Sequence, residues 1–250
     1  MTRIIAIANQ KGGVGKTTTT ISLGVALSRE NKRVLLVDLD PQAALSVSLG
    51  LAVAQLRETV YRVLLSEVPI EQAIRGTHSG PDILPANIDL SAAELELAAQ
   101  MGRERFLAEA LQPVAAKYDF VLLDLPPSLG LLTVNALVAA NEVIIPVQCE
   151  YLAVRALTLL LSTIDKVKAK LNPSLAVAGI LPTMYNGRTL HSQEVLDEIR
   201  TTFRVHVFPM VVKHSVRFKE APAAGLSIID YAPEQDGAQA YTALAKELLQ

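Results

Sequence analysis

Residues 10–18 read Gln-Lys-Gly-Gly-Val-Gly-Lys-Thr-Thr and follow directly on the apolar run 3–8. A buried strand that feeds a glycine-rich turn and then a helix is the setting for a phosphate cradle. Gly12, Gly13 and Gly15 let the backbone curl until successive N–H groups, that of Val14 among them, point inward at anionic oxygens. The helix expected over 16–30 adds the positive end of its dipole. Lys16 reaches the β- and γ-phosphates as a point charge, and the Thr17 hydroxyl is placed to ligate Mg²⁺.

An ordinary phosphate loop carries its first glycine at position 10. Gln10 stands there instead, with a second lysine, Lys11, beside it, so the motif is the deviant form KGGVGKT. Further runs rich in Val, Ile and Leu recur at 33–37, 120–123, 142–147 and 175–181, and each reads as a strand buried on both faces. Helical patterns fall at 16–30, 102–117, 129–140, 154–171, 189–203 and 237–249. This alternation predicts an α/β fold: a doubly wound, mostly parallel sheet flanked by helices, with right-handed crossovers. With 250 residues, half of them hydrophobic, and no linker, repeat or low-complexity tract, 1–250 reads as a single domain.

Ligands on such sheets bind at the carboxyl ends of strands. Asp38 and Asp40 end the second run ahead of Pro41, and Asp124 ends 120–123 ahead of Pro126-Pro127. In isolation each is an ordinary turn former or cap. One strand from KGGVGKT, they read as carboxylates that hold Mg²⁺ through its water shell and orient a nucleophilic water, with Asp124 in the Walker B position.

Other features narrow the class. Strand pattern begins by Arg3, which leaves no room for a signal peptide before the glycine loop. The apolar stretches 131–140 and 151–164 are too short, or too interrupted by residues such as Arg155, to span a bilayer. The lone Cys149 forms no internal disulfide and reads as a small buried hydrophobe. Net charge is −2, yet 155–219 holds ten Lys/Arg against four Asp/Glu, enough for a local basic face. Aromatics make up 4% of the chain and Trp is absent, which argues against a stacking platform for single strands. The four histidines have no metal-ligand spacing.

Taken together, KGGVGKTTT, VLLVDLDPQ, DFVLLDLPPSLGLLTVNAL, PVQCEYLAVRAL, LPTMYNGRT, VRFKEAP and GAQAYTALAKELL closely resemble the ParA/Soj family of chromosome- and plasmid-partitioning ATPases. The resemblance implies a cytoplasmic, nucleoid-associated, Mg²⁺-dependent ATPase. It is a monomer when empty or ADP-bound and a sandwich homodimer around ATP, binds double-stranded DNA without sequence preference, and is released when a ParB-like partner stimulates hydrolysis. It implies that Lys11 reaches across the dimer to the neighbour's nucleotide and that Gly12 permits the two subunits to approach. Lys16 then holds the β/γ-phosphates, Thr18 the α-phosphate, and Thr17, Asp38 and Asp124 surround the metal, while Asp40 serves hydrolysis. Adenine is expected near Met184–Asn186 and the backbone around Pro209; Arg188 and Arg217 fall on positions implicated in duplex binding.

Three departures from the family pattern stand out. Ala43-Ala44 replaces Gly-Asn after Asp40-Pro41-Gln42, which is expected to stiffen that loop. The stretch from Pro209 to Val216-Arg217 reads longer than the usual Pro-Arg-Asn-Val-Arg. Leu125 stands where Cys or Thr is frequent. Two alternatives share the same loop: a positioner of a non-DNA cargo, and a MinD-like membrane ATPase. The second would need a basic amphipathic C-terminal helix, whereas 245–250 carries the single basic residue Lys246.

Overall fold

The computed structural model describes residues 2–150, 153–187 and 189–250. In chain order its elements are β1 (Arg3–Ile7), α1 (Lys16–Arg29), β2 (Val34–Asp38), α2 (Ala44–Ser48), α3 (Val60–Leu64), α4 (Ile70–Ala73), β3 (Arg75–Gly76) and β4 (Asp82–Leu84). There follow α5 (Leu90–Ala98), α6 (Phe106–Ala115), β5 (Phe120–Asp124), α7 (Leu131–Ala139), β6 (Glu142–Gln148), α8 (Ala153–Lys170) and β7 (Ala176–Tyr185). The described elements close with α9 (Leu190–Thr202), β8 (Val212–Lys213), α10 (Arg217–Ala223), α11 (Ile228–Tyr231) and α12 (Asp236–Leu248).

One sheet of order β3-β4-β2-β5-β1-β6-β7-β8 runs through the molecule, parallel except for the β3–β4 pair. Every residue of β2 and β5 is buried, as a strand covered on both faces requires. Alternation along the strands splits the side chains between two cores. Leu35, Val37, Val121 and Leu123 face the core that carries α3 to α9. Val34, Leu36, Phe120 and Leu122 face the other, under α1, α2, α11 and α12. Helix α1 lies close to the sheet at Gly24, where an added Cβ would come within 2.6 Å of Leu36.

The ladder register decides where the chemistry meets. Ile7 pairs with Asp124, and Asp124 pairs with Asp38, so three strand ends finish level. The glycine loop leaves directly after that row, beside the two carboxylates. At the opposite end of the sheet, the Arg33 guanidinium and backbone N–H donate to Asp119 at 2.8–3.2 Å and hold its carboxyl down at about 2.

The five strands read from the sequence are present, but β7 runs four residues past the expected end, to Tyr185. The two-residue strands β3 and β8 and the three-residue β4 exist through pairing with distant partners, which no local run of apolar residues announces. Helices α2 to α5, α10 and α11 are short and lacked a periodic signature for the same reason.

Candidate functional site

The loop between β1 and α1 has the backbone its composition implied. Gly13 and Gly15 take φ values of 75° and 90°, a left-handed conformation that glycine adopts without penalty. Gly15, which has no side chain to bond the helix start, caps α1, and the first turn of that helix holds no acidic residue. The N–H groups there are thus left for an anion. Val14 is buried and its carbonyl accepts the Thr183 hydroxyl at 2.8 Å, which ties the loop to β7. Gly12 differs: its φ is not positive, and an added Cβ would reach only ordinary contact with Pro127 at 3.9 Å. Among the described residues nothing demands glycine at that position.

Two buried carboxylates and one buried ammonium lie beneath the loop. Asp124 is fully buried; burial, and then the charge of Asp38, push its carboxyl up to about 8 against Thr17, Lys16 and Thr20. Thr20 Oγ1 donates to Asp124 Oδ1 at 3.2 Å, while Oδ2 is buried without a partner. Asp38 is pushed up to about 6, chiefly by burial, although the Ser46 N–H (2.9 Å), the Ser46 hydroxyl (2.7 Å) and the Asp40 N–H (3.2 Å) donate to it. Lys16 is buried, and desolvation lowers its ammonium against the pull of Asp124 and Asp40. An orphaned carboxylate oxygen between a second carboxylate and a threonine suits a hard cation that shares its shell with phosphates. Among the described residues no cluster of three His, Cys, Asp or Glu forms a dedicated metal cage.

Asp40 stands half-buried at the mouth, where its Oδ1 accepts the Gln42 N–H at 2.9 Å. Ala43 follows with φ 53°, ψ 32°, the left-handed conformation a glycine would hold freely. Alanine there costs about 1 kcal/mol or more, so this loop is strained. The turn is closed by backbone groups that any residue but proline supplies: the Ala43 N–H donates to Asp40 O and its carbonyl starts α2.

Beside Gly15 and Thr18 opens a cavity of about 160 Å³, walled by Met184 of β7, Lys213 at the end of β8, His214 and Ser215 after it, and Phe218 of α10. Neither Asn186 nor Pro209 lies in its described lining; both are exposed. The expected longer link does not bulge outward. Val212 pairs with β7 as part of β8, so residues 213–215, not Pro209, turn over the glycine loop. Counting back from Val216-Arg217, instead of forward from Pro209, puts Lys213-His214-Ser215 where the family pattern has Pro-Arg-Asn. Phe218 and Tyr241 lie in the stretches 216–222 and 237–249 that resemble the family but were given no role there; Tyr241 reaches the site from α12 and shares a 3.0 Å hydrogen bond with Thr19.

The remaining expected residues are dispersed. Lys11 is half-buried and engaged with Gln148 and Glu150. Arg217 is exposed at the start of α10 and pairs with Glu220 at 2.8 Å; Arg188 lies outside the described residues. Cys149 is buried, and burial pushes its thiol up to about 11. No helix among the described residues is long and apolar enough to cross a membrane.

A parallel doubly wound sheet, a left-handed glycine loop opening a helix and a buried lysine over two strand-end carboxylates define a P-loop nucleotide-binding protein. Residues 2–177 match the model of an AAA domain family. The chromosome partitioning protein ParA of Myxococcus xanthus is 46% identical over 99% of this chain and 88% of its own. The sporulation initiation inhibitor protein Soj of Bacillus subtilis is 45% identical over 99% and 98%. Among solved structures, a Mycobacterium smegmatis protein named cobyrinic acid a,c-diamide synthase, with bound ATP analog and magnesium, superposes with TM-score 0.90 at 42% identity, covering 100% of this chain and 95% of that one. The chain belongs to the ParA/Soj family of partitioning ATPases.

Proposed function

We propose that this protein is a DNA-partition ATPase that binds Mg²⁺ and ATP, closes as a homodimer around two nucleotides, holds double-stranded DNA in that state and lets go when a ParB-like partner stimulates hydrolysis. The observation that carries the nucleotide reading is the unpartnered Asp124 oxygen lying beside Asp38 and Lys16 under free helix-start amides. Lys16 and the amides of 12–17 take the β- and γ-phosphates, and Thr18 the α-phosphate. Thr17, Asp38 and Asp124 are the residues that would hold the magnesium or its water; when bound, it neutralises charge that builds on the transferred phosphoryl group. Asp40, anchored by Gln42 and next to a strained turn, orients the attacking water. The base lies in the cavity between Met184 and residues 213–215, with Asn186 and Pro209 outside its wall. In the dimer Lys11 serves the nucleotide of the facing subunit, and the permissive surroundings of Gly12 leave room for that approach.

DNA binding through Arg217 and Arg188 rests on the family resemblance and on the basic bias of 155–219. Such contacts go to phosphates, are blind to sequence and weaken with salt. Two copies in one dimer raise avidity, which makes binding depend on ATP. The test is sizing and duplex-DNA mobility with and without a non-hydrolysable ATP analogue. Asp40→Ala should dimerise and bind DNA yet fail to turn over. Equal DNA affinity with and without the analogue would reject the reading.

A second reading comes from the name of the Mycobacterium smegmatis structure, an amide synthase. On that reading ATP turnover rises with cobyrinic acid and ignores DNA. The same hydrolysis assay separates the two.

A further inference from the structure

The ammonium of Lys11 is not free in the single chain. Its Nζ donates to Gln148 Oε1 at 3.0 Å and to Glu150 Oε2 at 2.6 Å. Gln148 is the last residue of β6, and its side-chain amide donates to the other Glu150 oxygen. The backbone under this cluster is fixed separately. Asn9 Oδ1 accepts the Lys11 N–H at 2.9 Å, and Asn9 Nδ2 donates to Pro146 O at 2.7 Å. The glycine loop and the end of β6 are therefore tied together, with the lysine and its carboxylate facing each other across the tie. Lys11 and Glu150 remain 40% and 51% exposed. A pair this wet is weak, and a stronger anion can replace it.

We propose that Gln148 and Glu150 form a latch that parks Lys11 within its own chain and sets how readily two copies pair. The proposal rests on the reading that Lys11 serves the facing subunit's nucleotide. A single ammonium held 2.6 Å from Glu150 cannot also neutralise a triphosphate on another molecule, so each subunit must open its latch to dimerise. A triphosphate outcompetes one solvated carboxylate because it concentrates several charges in one place. A diphosphate has lost the γ-group and competes less well, so the latch recloses after hydrolysis and favours separation. The half-exposed Glu150 tolerates being left behind, since water solvates it; a buried carboxylate would not. Gln148 and Glu150 act through Lys11 and are positioning residues.

The experiment compares wild type with Glu150→Gln and Glu150→Asp, which keeps the charge. One measurement is the protein concentration at half-dimerisation with a non-hydrolysable ATP analogue and Mg²⁺. The latch predicts a fall of roughly two- to tenfold for Glu150→Gln, because the competent fraction of both subunits rises. Glu150→Asp should return most of the way to wild type. Analogue affinity measured below the dimerisation range should not move. A second measurement is the rate at which acetic anhydride acylates Lys11 in nucleotide-free protein, read by mass spectrometry against Lys246. It should rise several-fold in Glu150→Gln. If wild type dimerises but Glu150→Gln leaves the midpoint unchanged or raises it, or leaves Lys11 no more reactive, the latch is overturned. If wild type never dimerises with the analogue, the reading of Lys11 itself fails, and with it the latch's purpose.

Discussion

On the function proposed above, residues 11–18 and two strand ends in register serve the polyphosphate, and the cavity beside them, which draws on residues 15, 184, 213–215 and 218, takes the base. The first set depends on backbone curvature and on buried charge. The second depends on how β7, β8 and α10 pack. Charge recognition tolerates little variation in position, so it is concentrated in one loop. A base is held by shape and apolar contact, which several distant segments can assemble together. The two ends should therefore respond differently to mutation.

Lys16→Ala is the largest expected break. It removes the buried ammonium that Asp124 and Asp40 face, and should abolish binding of both ATP and inorganic tripolyphosphate in calorimetric titration. If ATP still binds tightly, the base end alone carries affinity and the division is wrong. Phe218→Ala sharpens the same comparison from the other side. It opens the cavity wall and should weaken ATP by about tenfold, in line with one lost aromatic contact. Tripolyphosphate affinity should stay within error.

Asp124→Asn tests the electrostatic cost of the polyphosphate end in the nucleotide-free protein. Asp124 and Asp38 both titrate above their ordinary range. Their protonated forms thus favour the fold, and that contribution is full below about pH 4. It is lost as pH rises toward about 6 for Asp38 and about 8 for Asp124. Asp124→Asn should therefore melt several degrees above wild type at pH 8 without magnesium or nucleotide, with the gap closing near pH 4. Magnesium and nucleotide together should stabilise wild type and leave the variant nearly unmoved. A variant less stable than wild type at pH 8 would mean that the carboxylate is already compensated.

The smallest effect belongs to the far end of the sheet. Asp119, held at about 2 by Arg33, contributes stability above about pH 4 that is lost as pH falls through about 2. The pair is exposed, so Asp119→Asn should flatten acid unfolding only slightly and leave nucleotide binding untouched.

Legibility followed the same division. Strands β1, β2, β5 and β6 were readable because each is a continuous apolar run buried on both faces, and Asp38 and Asp124 because each ends such a run. Residues 44–98 were opaque: their helices are short and irregular, and Ser46, which holds Asp38, looked like any loop serine. Lys213, His214 and Ser215 escaped because the position of Pro209 suggested an insertion where β8 in fact pairs with β7. Tyr241 sits under the loop only because α12 packs on α1.

What the chain determines by itself is whatever a few neighbouring residues can encode: the left-handed curl at Gly13 and Gly15, the helix start behind it, the buried strands, and the carboxylates that end β2 and β5. Those follow from steric freedom, hydrophobic burial and the helix dipole, all of which act over a handful of residues. Tertiary structure alone decided the level register of Ile7, Asp124 and Asp38, the orphaned Asp124 oxygen, the wall of the cavity and the partner of Lys11. Each of these joins segments dozens to more than a hundred positions apart. Their energies are set by distance and desolvation, which exist only once the sheet has formed.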